Sequence, residues 1–190
     1  MSIGQLNKDT RMKKLKLILQ SIRLYFFRSS NQPGRNAPFN ICDKIQTVRH
    51  VLVCIANHPV EAMAGVAAVK ELKSTCPEWR ISVCADDTVN MSGLHGVTIF
   101  RRSEADLNFY DMPKQPFLQN IFHHKFDLVI DLALEYDFTN LAILWKSEAE
   151  LRIGFYHPRR EDFYNFLLRQ KPDATPEQAG RLLVNTLTSL

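Results

Sequence analysis

The chain has 190 residues, of which 45% are hydrophobic and 23% are charged, and it contains 7 glycines, 9 prolines and 4 cysteines. These are ordinary values for a globular protein, so they exclude collagen-like, disulfide-scaffold and intrinsically disordered classes. The length suits one domain with a hydrophobic core, and no apolar stretch reaches the roughly 20 residues that a membrane-spanning helix needs.

The net charge of +4 is unevenly distributed along the chain. Residues 1–36 contain eight basic residues and one acidic residue, a net charge of +7. The rest of the chain carries 16 basic and 19 acidic residues, a net charge of −3. A nucleic-acid-binding protein more often has its basic patch on the folded domain itself, so we expect no nucleic-acid partner.

The first 40 residues predict a basic amphipathic helix followed by a linker. Residues 10–27 place apolar side chains on one side at helical spacing and most of the basic residues on the other. Lys16 and Arg23 interrupt the apolar stretch and no small-residue cleavage site follows, so the pattern does not predict a signal peptide. Residues 29–40 contain two prolines and a glycine and predict the linker. The apolar stripe consists of Met12, Leu15, Ile18, Leu19, Ile22 and Phe26.

Two hypotheses for this helix remain open from its sequence. A basic amphipathic helix can lie on an anionic membrane surface, with residues 8–28 making the contact. Alternatively, the apolar stripe packs on the domain or on a partner subunit.

Residues 41–190 alternate between strand and helix patterns, which predicts one Rossmann-like α/β domain after the helix and linker of residues 1–40. Strands separated by helices of this length require right-handed crossovers, so we expect three layers with a mainly parallel sheet. The helix at residues 59–74 is expected to bury Met63, Val66, Val69 and Leu72. Strands are predicted at 48–55, 81–84, 97–100, 126–132 and 151–155, and helices at 59–74, 113–124, 139–146, 161–169 and 175–190.

The four cysteines predict reduced thiols. Cys54 and Cys84 lie in apolar strand-like runs, where cysteine behaves as a small hydrophobic residue. No CxxC pair occurs, and the nearest histidines lack the spacing of a zinc site. We therefore expect no metal and a cytoplasmic location. The cysteines are Cys42, Cys54, Cys76 and Cys84.

Ligands of an open parallel sheet bind beyond the carboxyl ends of the strands, where the strand order reverses. This rule selects the loops at residues 56–61, 135–137 and 156–160. The first loop has no GxGxxG or GxxxxGK[ST] motif, so we expect no dinucleotide and no other cofactor there. The absence of GxSxG argues against a serine hydrolase. His123 and His124 precede a strand and are expected to face solvent at the opposite edge.

Several segments resemble the bacterial glycosyltransferase family 9, which contains the ADP-heptose:lipopolysaccharide heptosyltransferases. An apolar strand at 51–55, a polar loop, a small-residue helix and the Cys76-Pro77-Glu78 turn follow the opening of that family. The segments FDLVIDL at 126–132 and RIGF at 152–155 are similar to its later motifs. The resemblance covers about residues 48–156 in the same order.

The resemblance implies the acceptor-binding half of a two-domain GT-B enzyme. In the family a second, C-terminal domain holds the nucleotide-sugar donor, and this chain ends after the first domain. We therefore expect a saccharide or glycolipid acceptor as ligand, and a separate donor domain or a homodimer as partner. The implied role is lipopolysaccharide or cell-envelope saccharide assembly at the inner membrane. The alternative is a non-catalytic binding or scaffold module.

The alignment also implies site residues. The catalytic-base aspartate of the family falls on Glu61 and its preceding glycine on Val60, and deprotonating an acceptor hydroxyl requires such a carboxylate. The alternative is that Glu61 is a first-turn residue stabilised by the helix dipole. Asp131 similarly either binds substrate or bonds nearby loop amides. The candidate substrate-binding residues are Asn57, His58, Asp131, Glu135 and Asp137.

Overall fold

The computed structural model describes residues 3–29 and 39–190, in which six parallel strands form one sheet in the order β3-β2-β1-β4-β5-β6. Helices cover both faces of the sheet, so the predicted three-layer α/β fold is confirmed. The strands are β1 (His50–Cys54), β2 (Arg80–Asp86), β3 (Thr98–Arg102), β4 (Leu128–Asp131), β5 (Leu151–Phe155) and β6 (Phe166–Leu168). The helices are α1 (Ile3–Ser29), α2 (Ile41–Thr47), α3 (Pro59–Thr75), α4 (Gln115–Phe122), α5 (Phe138–Lys146) and α6 (Pro176–Thr188).

The strand order reverses between β1 and β4. The chain runs outward from β1 to β3, crosses back, and runs outward in the other direction from β4 to β6. β1 and β4 are paired neighbours, with Cys54 opposite Asp131 at their carboxyl ends. The loops that follow these two strands therefore leave the sheet side by side, at the place where open α/β sheets bind ligands.

β1 is buried on both faces, as a central parallel strand requires. Val51 and Val53 point to the side covered by α3 and α6, while Leu52 and Cys54 point to the side covered by α4 and α5. The alternation follows from the two-residue period of a strand. It explains why the strand is a continuous apolar run in the sequence.

The predicted helix at residues 161–169 is wrong. The structure has a short 3-10 turn, Glu161–Phe163, followed by β6 at the edge of the sheet. Leu168 accepts a hydrogen bond from the backbone N–H of Tyr156, 2.9 Å away, which ties β6 to the end of β5. An apolar run of three residues carries no periodicity that distinguishes strand from helix, so the pairing with β5 decides.

Two smaller differences concern α2 and α3. α2 was not expected; the Asn40 side chain begins it by accepting the Cys42 N–H, and Ile45 packs into the core. On α3, Met63 was expected to be buried and is 75% exposed, whereas Val69 and Leu72 are buried. α6 begins as predicted, with a capping box between Thr175 and Gln178.

α1 confirms the predicted N-terminal helix, but four of the five described side chains of its apolar stripe are exposed, namely Met12, Leu15, Ile18 and Ile22. Leu15, Ile18 and Ile22 are 49%, 56% and 49% exposed, and the domain instead contacts the polar Lys16 and Gln20. Within the described residues, no helix is long and apolar enough to cross a membrane. The predicted linker, residues 29–40, lies mostly outside the described part of the chain.

The cysteine thiols are free, as the sequence predicted. Burial raises the pKa of Cys84 to about 12 and raises the pKa of Cys54 well above its ordinary value. Both thiols therefore stay protonated and act as core residues.

Candidate functional site

A cavity of about 530 Å³ lies between α1 and the carboxyl ends of β1 and β4. It occupies the predicted switch point, and its volume is typical of a small-ligand site. Residues of α1 form one wall, and the loops after β1 and β4 form the other. Five of the six sequence-predicted site residues line it: Asn57, His58, Glu61, Glu135 and Asp137.

Glu61 joins the two loops of the cavity. It is the third residue of α3, after Pro59 in the first turn, and its side chain is buried. Its Oε2 accepts the backbone N–H of Leu134 at 2.8 Å, which positions the carboxylate against the loop after β4. Its Oε1 has no hydrogen bond to any described residue, and Glu61 is among the residues that line the cavity.

Asp137 lines the cavity and has a raised pKa. It caps the N-terminus of α5, where its Oδ1 accepts the Asn140 N–H at 3.0 Å. Burial raises the pKa of Asp137 to about 6, and the nearby negative charge of Asp131 acts in the same direction. The side chain can accept a hydrogen bond when ionised and donate one when protonated.

Asp131 lies below the cavity and is not among the residues that line it. Its Oδ1 accepts the Ala133 N–H at 3.0 Å and the Asn140 side-chain amide at 2.9 Å. Its Oδ2 accepts the Tyr164 hydroxyl at 2.6 Å. Because both oxygens are used inside the protein, the geometry supports the hypothesis that Asp131 shapes the fold.

The Arg160 side chain holds the loop after β4 in place through hydrogen bonds. Its guanidinium is fully buried, and its Nη2 donates to the carbonyl oxygens of Ala133 and Leu134, each at 2.8 Å. Its Nη1 donates to the Glu135 carbonyl at 2.9 Å and lies 3.5 Å from Asp131 Oδ2. The sequence rule selected the loop that contains Arg160, but no local signal indicated that its side chain reaches three carbonyls of another loop.

Arg102 places a second buried positive charge beside the cavity. This residue ends β3, is fully buried, and donates from Nη2 to the Asn57 side-chain oxygen. Its Nε and Nη1 have no hydrogen-bond partner among the described residues. The charge of Arg102 opposes the effect of burial on Asp137 by lowering its pKa. Sequence analysis missed Arg102 because an arginine at the end of a strand is usually exposed.

A larger open groove of about 940 Å³ lies at the amino ends of β1 and β4. His123 and His124 line it and are exposed, as predicted. Two of its other charged residues, Lys44 and Glu150, are paired with each other. In the described ranges, no three His, Cys, Asp or Glu side chains are grouped to hold a metal ion. Because parallel sheets bind ligands at their carboxyl ends, the cavity at β1 and β4 is the candidate site.

Comparison with known families and sequences gives one match. A protein-family model described as "Family of unknown function (DUF6913)" matches residues 20–190. No curated protein matches the sequence.

Glycosyltransferases are among the solved structures with a similar fold. Heptosyltransferase WaaC of E. coli, solved with ADP, is 12% identical with a TM-score of 0.58, and the match covers 72% of this chain and 46% of that one. A glycosyl transferase of family 9 from Veillonella parvula is 16% identical with a TM-score of 0.57, covering 73% and 40%. This chain thus spans less than half the length of these structures. At these identities the likeness is one of fold, and it confirms the family 9 resemblance at that level.

Proposed function

We propose that this chain, which belongs to the DUF6913 family of unknown function, binds a saccharide acceptor in the cavity at the carboxyl ends of β1 and β4. Its fold is glycosyltransferase-like. The observation that carries the proposal is the convergence of Asn57, His58, Glu61, Glu135 and Asp137 on one cavity at the switch point of this fold.

The chemistry of the cavity wall suits a ligand rich in hydroxyl groups. Carboxylate and amide oxygens accept hydrogen bonds from sugar hydroxyls, and the carboxylate acceptors make the stronger ones. Tyr136 and Phe138 add aromatic surface to the same wall, against which the apolar face of a sugar ring can pack. A nucleotide phosphate is a poorer fit, because the carboxylates that line the cavity outnumber its two lysines, Lys13 and Lys16. The four carboxylates are Glu61, Asp111, Glu135 and Asp137.

Glu61 is the proposed general base. Glu61 lines the cavity, and its Oε2 is held by the Leu134 N–H. The acceptor hydroxyl oxygen would attack the anomeric carbon of a nucleotide sugar as its proton passes to the Glu61 carboxylate. The bond from the anomeric carbon to the diphosphate breaks, and the electron pair leaves with the diphosphate. A positioned base of this kind contributes typically 10²–10⁴-fold to the rate.

The proposal extends to a place in cell-envelope assembly. One solved structure of the same fold is a heptosyltransferase that holds ADP-2-deoxy-2-fluoro heptose, so saccharides onto which a heptose can be transferred are the first acceptor class to examine. We propose that the donor is held by a separate domain or by a second copy of the chain, since transfer requires donor and acceptor to be fixed together.

A second candidate function is a non-catalytic saccharide-binding module. The hydrogen bond from the Leu134 N–H to Glu61 favours it, because this bond gives the carboxylate a structural task that does not need turnover. Both functions use the same cavity and differ only in whether Glu61 accepts a proton during a reaction.

The first experiment measures the melting temperature with a panel of lipopolysaccharide core saccharides. A ligand that binds only the folded state raises the melting temperature, by an amount that grows with its concentration over Kd. Glu61→Gln keeps an oxygen that can accept the Leu134 N–H, so the variant should fold but lose part of the saccharide-induced shift. Glu78→Gln, an exposed carboxylate far from the cavity, is the matched control and should respond like the wild type. If no saccharide shifts the wild-type melting temperature, the proposed site is wrong.

The second measurement separates an enzyme from a binding module. The release of nucleoside diphosphate is measured in a reaction that contains a nucleotide sugar, an acceptor that gave a thermal shift, and any donor-domain partner. For an enzyme, Glu61→Gln should lower the rate at least 100-fold. Saccharide binding without any release in the wild type would identify the binding module.

A further inference from the structure

Two polar side chains of α1 contact the domain. Gln20 is buried, and its side-chain amide donates to the Tyr110 carbonyl at 3.2 Å and to Asp111 Oδ2 at 3.0 Å. Lys16 Nζ lies 2.7 Å from Asp111 Oδ1. Gln20 and Lys16 are four residues apart, hence on one side of the helix, and that side is the inward one.

The opposite side of α1 is an exposed apolar stripe. Leu15, Ile18, Ile22 and Tyr25 follow one another at steps of three or four residues, and each is about half exposed or more. At about 100° per residue, Ile18 and Ile22 lie about 160° around the helix from Gln20. A contiguous apolar patch of this kind on a protein surface usually marks an interaction site.

The charges around the apolar stripe indicate which kind of partner binds it. Arg11 and Lys14 are exposed and lie one turn before Leu15 and Ile18, and the sequence has no acidic residue between Thr10 and Cys42. A second copy of α1 would bring like charges together, which disfavours a homotypic contact. An apolar stripe flanked by cations is complementary to an anionic phospholipid surface, where apolar side chains insert and basic side chains reach the headgroups.

We propose that the outward face of α1 binds an anionic phospholipid bilayer. Leu15, Ile18 and Ile22 enter the boundary between headgroups and acyl chains, and Arg11 and Lys14 contact lipid phosphates. The domain stays attached through Asp111 on the other side of the helix.

This orientation has a consequence for the cavity. Lys13, Lys16 and Leu17 of α1 line the cavity, so on a membrane-bound helix the cavity is about one helix diameter, about 10 Å, from the headgroups. A saccharide carried on a lipid could then enter it from the bilayer. This consequence rests on the proposed function, whereas membrane binding itself does not.

The test is sedimentation of the full chain with vesicles of phosphatidylglycerol and phosphatidylcholine, and with vesicles of phosphatidylcholine alone. We expect binding to the anionic vesicles that falls at high salt. Ile18→Ser with Ile22→Ser should weaken partitioning at least tenfold. Arg11→Gln with Lys14→Gln should weaken it about 30-fold, from about 1 kcal/mol for each cation. No binding by the wild type, or wild-type binding by the double serine variant, overturns the proposal.

Matched controls and a direct probe complete the experiment. Met63→Ser removes a more exposed apolar side chain from α3, and Lys125→Gln with Lys171→Gln removes two exposed cations elsewhere; both should bind like the wild type. Ile18→Trp should show a blue-shifted emission on anionic vesicles, against a constant background from the two buried native tryptophans, Trp79 and Trp145. An unshifted emission with bound protein would show that another surface makes the contact. Glu61→Gln should bind vesicles normally, which keeps this outcome separate from that of the saccharide site.

Discussion

At the scale of single residues, the site depends on two buried charges, Asp131 and Arg160, that lie 3.5 Å apart. Asp131 and Arg160 are fully buried, and such charges are costly unless they are paired and hydrogen-bonded. Tyr164 completes the group: burial and the adjacent Asp131 raise the pKa of its phenol, so it remains protonated and donates to the carboxylate. The group holds the loop after β4, and that loop carries Glu135 and Asp137 into the cavity.

Asp137 gives a prediction of pH dependence. Its pKa is raised to about 6 in the folded state, above the ordinary value of 3.8, so ionising it costs folding free energy. This loss of folding free energy is absent below about pH 4, grows between about pH 4 and 6, and is complete above about pH 6. Asn caps helices as well as Asp does. Asp137→Asn should therefore be more stable than the wild type at about pH 7.5 and equally stable at about pH 4.

Urea unfolding across this pH range checks the prediction. Asp173→Asn is the control, because Asp173 is exposed and its substitution should not change the pH dependence. A constant difference between Asp137→Asn and the wild type at every pH would show that Asp137 ionises normally.

At the scale of elements, the end of β5 is shaped by a close approach between a strand and a ring. A Cβ on Gly154 would lie 2.4 Å from Tyr164 Cε1 and 2.9 Å from its Cδ1. The Tyr164 ring is buried just before β6, and only glycine lets it lie against β5 and reach Asp131. The glycine of the RIGF segment is thus required by the packing of β5 against the residues that lead into β6.

Gly154→Ala should destabilise the protein by about 1–3 kcal/mol, since the ring has to move in a packed interior. Chemical denaturation measures the loss. In the double variant Gly154→Ala with Tyr164→Leu, the smaller side chain relieves the clash, so the total loss should be less than the sum of the two single losses. Additive losses would mean that the two residues do not conflict.

At the scale of the whole molecule, polar contacts of Lys16 and Gln20 join α1 to the loop that contains Asp111. The cavity lies between this helix and the sheet. An exposed or half-exposed ion pair contributes only about 0–1 kcal/mol. An element held by such weak contacts can detach from the domain at a low free-energy cost. Detachment of α1 would uncover the cavity.

Asp111→Asn should loosen α1. The backbone at Asp111 has a φ of 64°, a left-handed conformation that Asn tolerates as well as Asp, so the loop itself should keep its shape. Loss of the ion pair with Lys16 should raise the rate of trypsin cleavage at the basic residues of α1, up to about fivefold. Asp173→Asn is the charge-matched control and should be cleaved like the wild type. Equal cleavage of all three proteins would show that Asp111 does not hold the helix.

The amino-acid pattern by itself determined the α/β class, five of the six strands and two of the loops that form the cavity. Buried parallel strands are continuous β-branched runs, and helices with a 3.6-residue period separate them, so both signals are local in the sequence. The position of the site followed because strand polarity places the loops after β1 and β4 at the same edge. The roles assigned to Asn57, His58, Glu61, Glu135 and Asp137 remain predictions, although all five side chains line the cavity.

The tertiary structure alone decided β6, the buried role of Asp131 and the orientation of α1. The three-residue β6 exists because β5 offers an unpaired edge. Arg160 reaches Ala133 across 27 positions, Arg102 reaches Asn57 across 45, and Gln20 reaches Asp111 across 91, so no local pattern contains these contacts. The amphipathic pattern of α1 predicts that one side of the helix is apolar. Which side contacts the domain depends on the polar groups of Asp111 and Tyr110, because these groups lie beside α1 only in the folded chain.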